Sequence, residues 1–167
     1  MRNIILVPYD YSWQEAFNQI KEHLESEIKD KILAIEHIGS TSIEALDAKP
    51  IIDIDIIIES YDVFPEIVHR LKKLGYTHNG DQGIKEREAF KYDSSPFMTH
   101  HLYVCPKDSI ELKKHLAFRD YLRKHPFMRD EYSKIKALAA QKYPHDIDGY
   151  LAFKGQFILK IYKELGL

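Results

Sequence analysis

A single cysteine, Cys105, stands in the 167 residues of this chain. One thiol excludes an internal disulfide framework and suits a reducing compartment. Excess charge of either sign is missing too. The 24 Lys and Arg face 26 Asp and Glu, for a formal net charge of -2. No global field therefore draws the chain onto nucleic acid or an anionic membrane, and any site for a polyanion has to be local. Long apolar runs are absent. The stretch Ile4-Ile5-Leu6-Val7 is too short for a signal peptide, and no segment approaches the ~20 residues of a membrane span. A cytoplasmic protein with no membrane partner is expected. Linkers, repeats and low-complexity segments are absent as well.

What is present is ordinary for a globular chain. Apolar residues make up 44% and charged residues 30%, in a length that fits one domain with a full core. Trp13, Phe17, Ile20, Leu24 and Ile28 recur at three- and four-residue spacing. That pattern predicts an amphipathic helix, with Ser12 and Glu15 as its capping box. Residues 4–7, 32–38, 51–58, 85–93 and 99–105 read as strands, and residues 63–74 as a second helix closed by Gly75. From Asp108 the pattern turns helical. Asp108-Ser109-Ile110-Glu111 and Asp146 offer caps, breaks fall at Pro126 and Pro144, and Tyr132, Ile135, Leu138 and Ala139 are expected to face inward. The expected class is α/β (α+β). An α/β part covers residues 1–107, and a helical part, residues 108–167, packs on it in one domain.

Chemistry concentrates between Glu36 and Glu59. A small-residue turn, Gly39-Ser40-Thr41-Ser42, precedes Lys49-Pro50 and an apolar run interrupted only by Asp53 and Asp55. On a strand these aspartates share one face, while Ile52, Ile54, Ile56 and Ile58 fill the other. Two carboxylates side by side repel and are costly to bury, and a divalent cation would relieve both problems. The plainer reading is a pair of acids at a solvated strand end. The hydroxyls of Ser40, Thr41 and Ser42 cluster where a helix is expected to begin. Free N–H groups at such a terminus attract phosphate, although simple N-capping needs only one of the three.

Strand alternation sends the adjacent His100 and His101 to opposite faces. A lone histidine is more often a hydrogen-bonded structural residue than a ligand. The helical part is rich in cations, including Lys114, Arg119, Arg123, Lys136, Lys142 and Lys154, most of them expected on a solvated face. Arg119 and Arg123 are four apart and point the same way on a helix. As a pair they would clamp a phosphate or carboxylate, with Arg119 the one expected to face the cleft.

The strings E-H-I-G-S-T-S at residues 36–42, A-K-P-I-I-D-I at 48–54, H-H-L-Y-V at 100–104 and H-L-A-F-R-D-Y-L-R at 115–123 resemble the GrpB family. That family is a group of small bacterial proteins classed as predicted nucleotidyltransferases. Tyr132, Lys136, Tyr150 and Lys154 agree with its later features, so the resemblance covers nearly the whole chain. A Gly-Ser turn followed by Asp-x-Asp is similar to the signature of the wider superfamily of kanamycin nucleotidyltransferase and DNA polymerase beta. The resemblance implies a mixed, twisted sheet with flanking helices. It implies metal-dependent transfer of a nucleoside monophosphate from a nucleoside triphosphate to an unnamed acceptor. Gly39, Ser40 and Thr41 would hold phosphate oxygens. Asp53 and Asp55 would bind Mg2+ or Mn2+, with His101 as third ligand or base, and these three form the catalytic set. Lys49, Arg87, Arg119 and Arg123 would be electrostatic partners of the triphosphate. The third carboxylate of active members is missing from residues 99–105; Glu88 and Asp93 are acids from a neighbouring strand. The alternative is a degenerate transferase fold that binds a nucleotide or phosphometabolite without chemistry. Near-neutral charge argues against a nucleic-acid partner.

Overall fold

Residues 3–167 are described by the computed structural model. Five strands form one mixed sheet: β1 Ala34–Ile38, β2 Ile52–Ile58, β3 Thr77–His78, β4 Glu88–Lys91 and β5 His100–Pro106. Their order is β1-β2-β5-β4-β3. β2 runs antiparallel to β1 and parallel to β5, while β4 is antiparallel to both β5 and β3. The strand of the two aspartates thus has a neighbour on each side, as its apolar content demands. The helices are α1 Ser12–Ile28, α2 Phe64–Lys73, α3 Ile110–Lys124, α4 Pro126–Lys142 and α5 Ile147–Glu164. None of the described helices is long and apolar enough to cross a membrane.

One face of the sheet makes the main core. Ile52, Ile54, Ile56 and Ile58 of β2, with Leu102 and Val104 of β5, pack on the α1 stripe and on Ile67 and Leu71 of α2. The four β2 isoleucines are fully buried, each contributing about 2 kcal/mol of transfer free energy. The opposite face carries Asp53 and Asp55 beneath the C-terminal helices. There a second cluster joins Ile43 and Leu46, between β1 and β2, to Leu122 of α3, Tyr132 of α4 and Phe157 and Ile161 of α5.

Some local expectations change. Ser12 does not cap α1; the N-cap is Tyr11, and the Asp10 carboxylate accepts from the Ser12 N–H at 2.8 Å. Residues 4–7 form no strand, only a single bridge between Val7 and Ala48. The turn after β1 is one 3-10 turn, Ser40–Ser42, and no long helix follows it. Leu138 is 54% exposed, whereas Lys136 on the same helix is buried at 1%. A stripe drawn from apolar residues alone passes over a buried lysine. Within the stretch Asp108–Glu111 the cap is Ser109, accepting from the Leu112 N–H, and Asp146 caps as expected, accepting from the Gly149 N–H.

Candidate active site

Sheet register sets the first contacts. Across the β2/β5 pair Asp53 lies opposite His101 and Asp55 opposite Tyr103, so these four side chains share one face. His100 turns to the core. Its Nδ1–H donates to the Met98 carbonyl at 2.8 Å, and its Nε2 accepts from the Tyr76 hydroxyl at 2.6 Å. His101 is the histidine left for the site, with Nδ1 2.9 Å from Asp53 Oδ1. A carboxylate only accepts, so Nδ1 is the donor in this contact.

Asp55 is fully buried. Its Oδ2 accepts from Nδ1 of His115 on α3 at 2.7 Å, and Nε2 of the same ring is 3.2 Å from Glu111 Oε1. An imidazole between two carboxylates donates to both and carries a positive charge. Burial works against that charge, but the hydrogen bonds to Asp55 and Glu111 outweigh it and raise the His115 pKa to about 9. Burial also pushes the Asp55 carboxyl upward, and His115 opposes that push. The 2.7 Å geometry with donors on both ring nitrogens assigns the shared proton to His115. Asp55 Oδ1 is buried with no hydrogen-bond partner among the described residues.

The turn after β1 closes over Asp53. Gly39 has φ 72, and a Cβ at this position would fall on the Asp53 carboxylate. Only glycine takes this left-handed conformation at so close an approach without penalty. Ser42 Oγ donates to the Gly39 carbonyl at 2.5 Å, and Thr41 Oγ1 donates to the Ile51 carbonyl at 3.3 Å, tying the turn to the start of β2. Ser40 Oγ accepts from Lys136 Nζ at 3.0 Å. Lys136 also donates to the Asp47 carbonyl and lies over the Tyr132 ring, 4.9 Å from its centre. Burial, with the charges of Lys154 and Lys49 nearby, lowers its pKa to about 7. Burial and Lys49 lower that of Lys154 to about 8. Tyr150 offers its ring to both Lys49 and Lys154, at 5.4 and 5.2 Å.

These groups line a cavity of about 520 Å³, within the usual range of ligand pockets. Asp55 is fully buried and is not part of the wall. Of the other residues expected from sequence, Gly39, Ser40, Thr41, Lys49, Asp53, Arg87 and His101 lie in it, joined by His115, Lys136 and Lys154. Arg119 and Arg123 do not. They line a separate groove along β1, an end strand of the sheet. Arg119 pairs with Glu36 at 2.7 Å and donates to the His37 carbonyl at 3.0 Å; Arg123 donates to the Ser42 carbonyl through Nε and Nη2 at 3.1 and 2.7 Å. The two arginines do share a face of α3, but that face meets carbonyls at a sheet edge and pins the turn from behind. Glu88 is bonded to His78 at 3.0 Å, and neither Glu88 nor Asp93 lines the cavity. The expectation of a solvated face fails for Lys136 and Lys154, and sequence reasoning assigned nothing to His115 or Glu111. Their partners lie far along the chain, so no local spacing marks them.

Among the described residues, no three His, Cys, Asp or Glu side chains form a metal-binding group. The bond to Asp53 occupies Nδ1 of His101 and leaves Nε2 outside that contact. Each aspartate nevertheless gives only one oxygen to a histidine, and Asp55 Oδ1 has no partner at all. Two imidazole-oriented carboxylates fit magnesium, which commonly takes one or two protein carboxylates and completes its shell with water and phosphate oxygens.

The sheet and its helices define a nucleotidyltransferase-like fold. The chain superposes on Cid1 in complex with its short product ApU with a TM-score of 0.55 at 10% identity, covering 77% of this chain and 41% of that one; the same Cid1 is described as a poly(U) polymerase. The profile of the GrpB protein family matches residues 3–164, and the chain belongs to this family. The crystal structure of conserved protein GrpB from Enterococcus faecalis has a TM-score of 0.82 at 32% identity, covering 98% of this chain and all of that one. UPF0157 protein YqkA of Bacillus subtilis is 36% identical over 157 residues, which cover 94% of this chain and 46% of the relative. The chain thus spans about half the length of that relative.

Proposed function

We propose that this protein transfers a nucleoside monophosphate from a nucleoside triphosphate to an acceptor hydroxyl, with Mg2+ or Mn2+ held by Asp53 and Asp55. The observation that carries this reading is the placement of two carboxylates on one face of β2, with Asp53 against a glycine turn in a cavity wall shared with Lys49, Lys136 and Lys154, and Asp55 buried two residues on. When bound, the metal would neutralise phosphate charge and favour the attacking hydroxyl. Ser40 and Lys136 would hold terminal phosphate oxygens, with Lys49 and Lys154 adding charge where pyrophosphate leaves. His101 Nε2 would accept the proton of the acceptor hydroxyl, with Asp53 fixing the ring. The lone buried Cys105 accords with work in the cytoplasm.

A second reading is binding without chemistry. It is favoured by the lack of a third carboxylate, since β5 offers His101 and Tyr103 opposite the two aspartates. A screen of the four nucleoside triphosphates with magnesium or manganese separates the two readings. Pyrophosphate release together with thermal stabilisation supports transfer. Stabilisation without pyrophosphate supports the binding module. Neither effect with any nucleotide sinks transfer and nucleotide binding alike, and leaves a phosphometabolite as the ligand of a binding module.

A further inference from the structure

Arg87 lines the cavity and lies across the β2 aspartates from the turn of Ser40. The turn of Ser40 follows β1, the aspartates are on β2, His101 and Tyr103 on β5, and Arg87 directly precedes β4, in the sheet order β1-β2-β5-β4. Adjacent strands are about 4.8 Å apart, so a phosphate chain gripped at Ser40 and Lys136 lies across the aspartate pair from this arginine.

Arg87 is also poor in partners. Its guanidinium stacks on Tyr103, 4.3 Å from the ring centre. Its Nε–H is buried without an acceptor, and its side chain makes one long bond, 3.4 Å from Nη2 to Gln82 Oε1. No carboxylate lies within ion-pair distance among the described residues, whereas Arg119, Arg129 and Arg70 all have one. An arginine that folding alone required would be expected to satisfy its fork, as Arg119 does. The loop that delivers it holds two non-glycine residues in left-handed backbone, Gln82 at φ 55 and Glu86 at φ 59. Each costs on the order of 1 kcal/mol, and such strain tends to gather where a side chain must be aimed.

We propose that Arg87 anchors an oxyanion carried by the acceptor, so that the acceptor is a hydroxyl compound bearing a carboxylate or a phosphate. Stacking on Tyr103 holds the guanidinium plane, and a planar fork of donors matches either group through two parallel bonds. This moves Arg87 from the triphosphate, where sequence reasoning placed it, to the second substrate. Its assignment to an acceptor rests on the transfer reading above.

The test follows the Nε–H signal of Arg87 by nuclear magnetic resonance, assigned by its loss in Arg87→Lys. The unliganded protein is titrated with inorganic phosphate and, separately, with acetate at constant ionic strength. The Lys154→Gln variant is titrated in parallel to weaken anion binding at the lysine wall. The signal is expected to move and saturate with at least one anion in both proteins, and the more effective anion tells phosphate from carboxylate. In Arg87→Lys, with its melting temperature checked for folding, affinity for that anion, measured by titration calorimetry in parent and variant alike, should drop about tenfold. An Arg87 signal that ignores both anions, or an affinity that Arg87→Lys leaves unchanged, overturns the proposal. Either result leaves the nucleotide screen untouched. If Arg87 responds but no nucleotide binds or releases pyrophosphate, the transfer reading is the one that fails.

Discussion

Lys136 Nζ lies 3.0 Å from Ser40 Oγ, which joins the helical part to the turn that covers Asp53. The amine is buried without a carboxylate, and its pKa of about 7 lies far below that of an unfolded lysine, about 10.4. Between these values the unfolded chain binds more protons than the folded one, so folding stability from this group climbs with pH across that window. Lys136→Met removes the contribution. Denaturation curves at pH 7 and pH 10 should show a smaller gain for the variant than for the parent. An equal gain would mean that Lys136 is solvated.

The sign reverses for His115. Its pKa is raised to about 9, from about 6.5 when unfolded. Its contribution is therefore complete below about pH 6.5 and is lost as pH rises through about 9. His115→Gln should cost about 3 kcal/mol at pH 6 and clearly less at pH 10. In the parent, the ring resonances should titrate with a midpoint near 9; a midpoint of an ordinary exposed histidine would refute the ion chain to Asp55 and Glu111.

The two aspartates should not behave alike. Asp53 is 28% exposed in its side chain and Asp55 0%. Asp53→Asn relieves repulsion and should stay within about 1 kcal/mol of the parent. Asp55→Asn leaves a buried imidazolium facing a neutral amide and should cost about 3 kcal/mol. Both variants should lose stabilisation by magnesium plus nucleotide in thermal melts. If either keeps the parent's full gain, it is not a metal ligand.

Gly39→Ala tests the turn. Left-handed backbone costs alanine about 1–2 kcal/mol, and the new methyl collides with the Asp53 carboxylate. The variant should fold with reduced stability and lose metal-dependent nucleotide binding. Unchanged binding would show that the Asp53 carboxylate need not stay against the turn.

His101→Gln keeps a hydrogen bond within reach of Asp53 but offers no basic nitrogen. Under the transfer reading, pyrophosphate release should fall about a hundredfold or more while nucleotide still stabilises the protein. Equal loss of binding and rate would make His101 a structural support.

Much of the fold was legible because its causes are local. The three- and four-residue spacing from Trp13 to Ile28 marks α1, and the isoleucines of β2 mark a buried strand whose two acids must share a face. Ser109 and Asp146 cap because a cap needs only the next three residues. Lys136, Lys154, His115 and Glu111 were not legible in their roles. On a helix, a lysine that reaches a cavity has the same spacing as one that reaches water. His115 meets Asp55 across 60 positions and Lys136 meets Ser40 across 96. Arg119 and Arg123 misled for a related reason: their spacing fixes a common direction, but only the position of α3 at the edge of β1 decides what lies that way.

Lys136 and Lys154 of the cavity wall come from α4 and α5, whereas Lys49, the aspartates and the turn belong to the first third of the chain. This gives the site an order of birth. Synthesis runs from the N-terminus, and early segments fold while later ones are still being made. A nascent chain extended through α3 already holds Gly39, Asp53, His101 and His115, yet its Ser40 lacks the amine of Lys136. The cavity exists only when α5 has folded back. Under the transfer reading, an unfinished copy of this protein would have no place to trap a nucleotide on the ribosome.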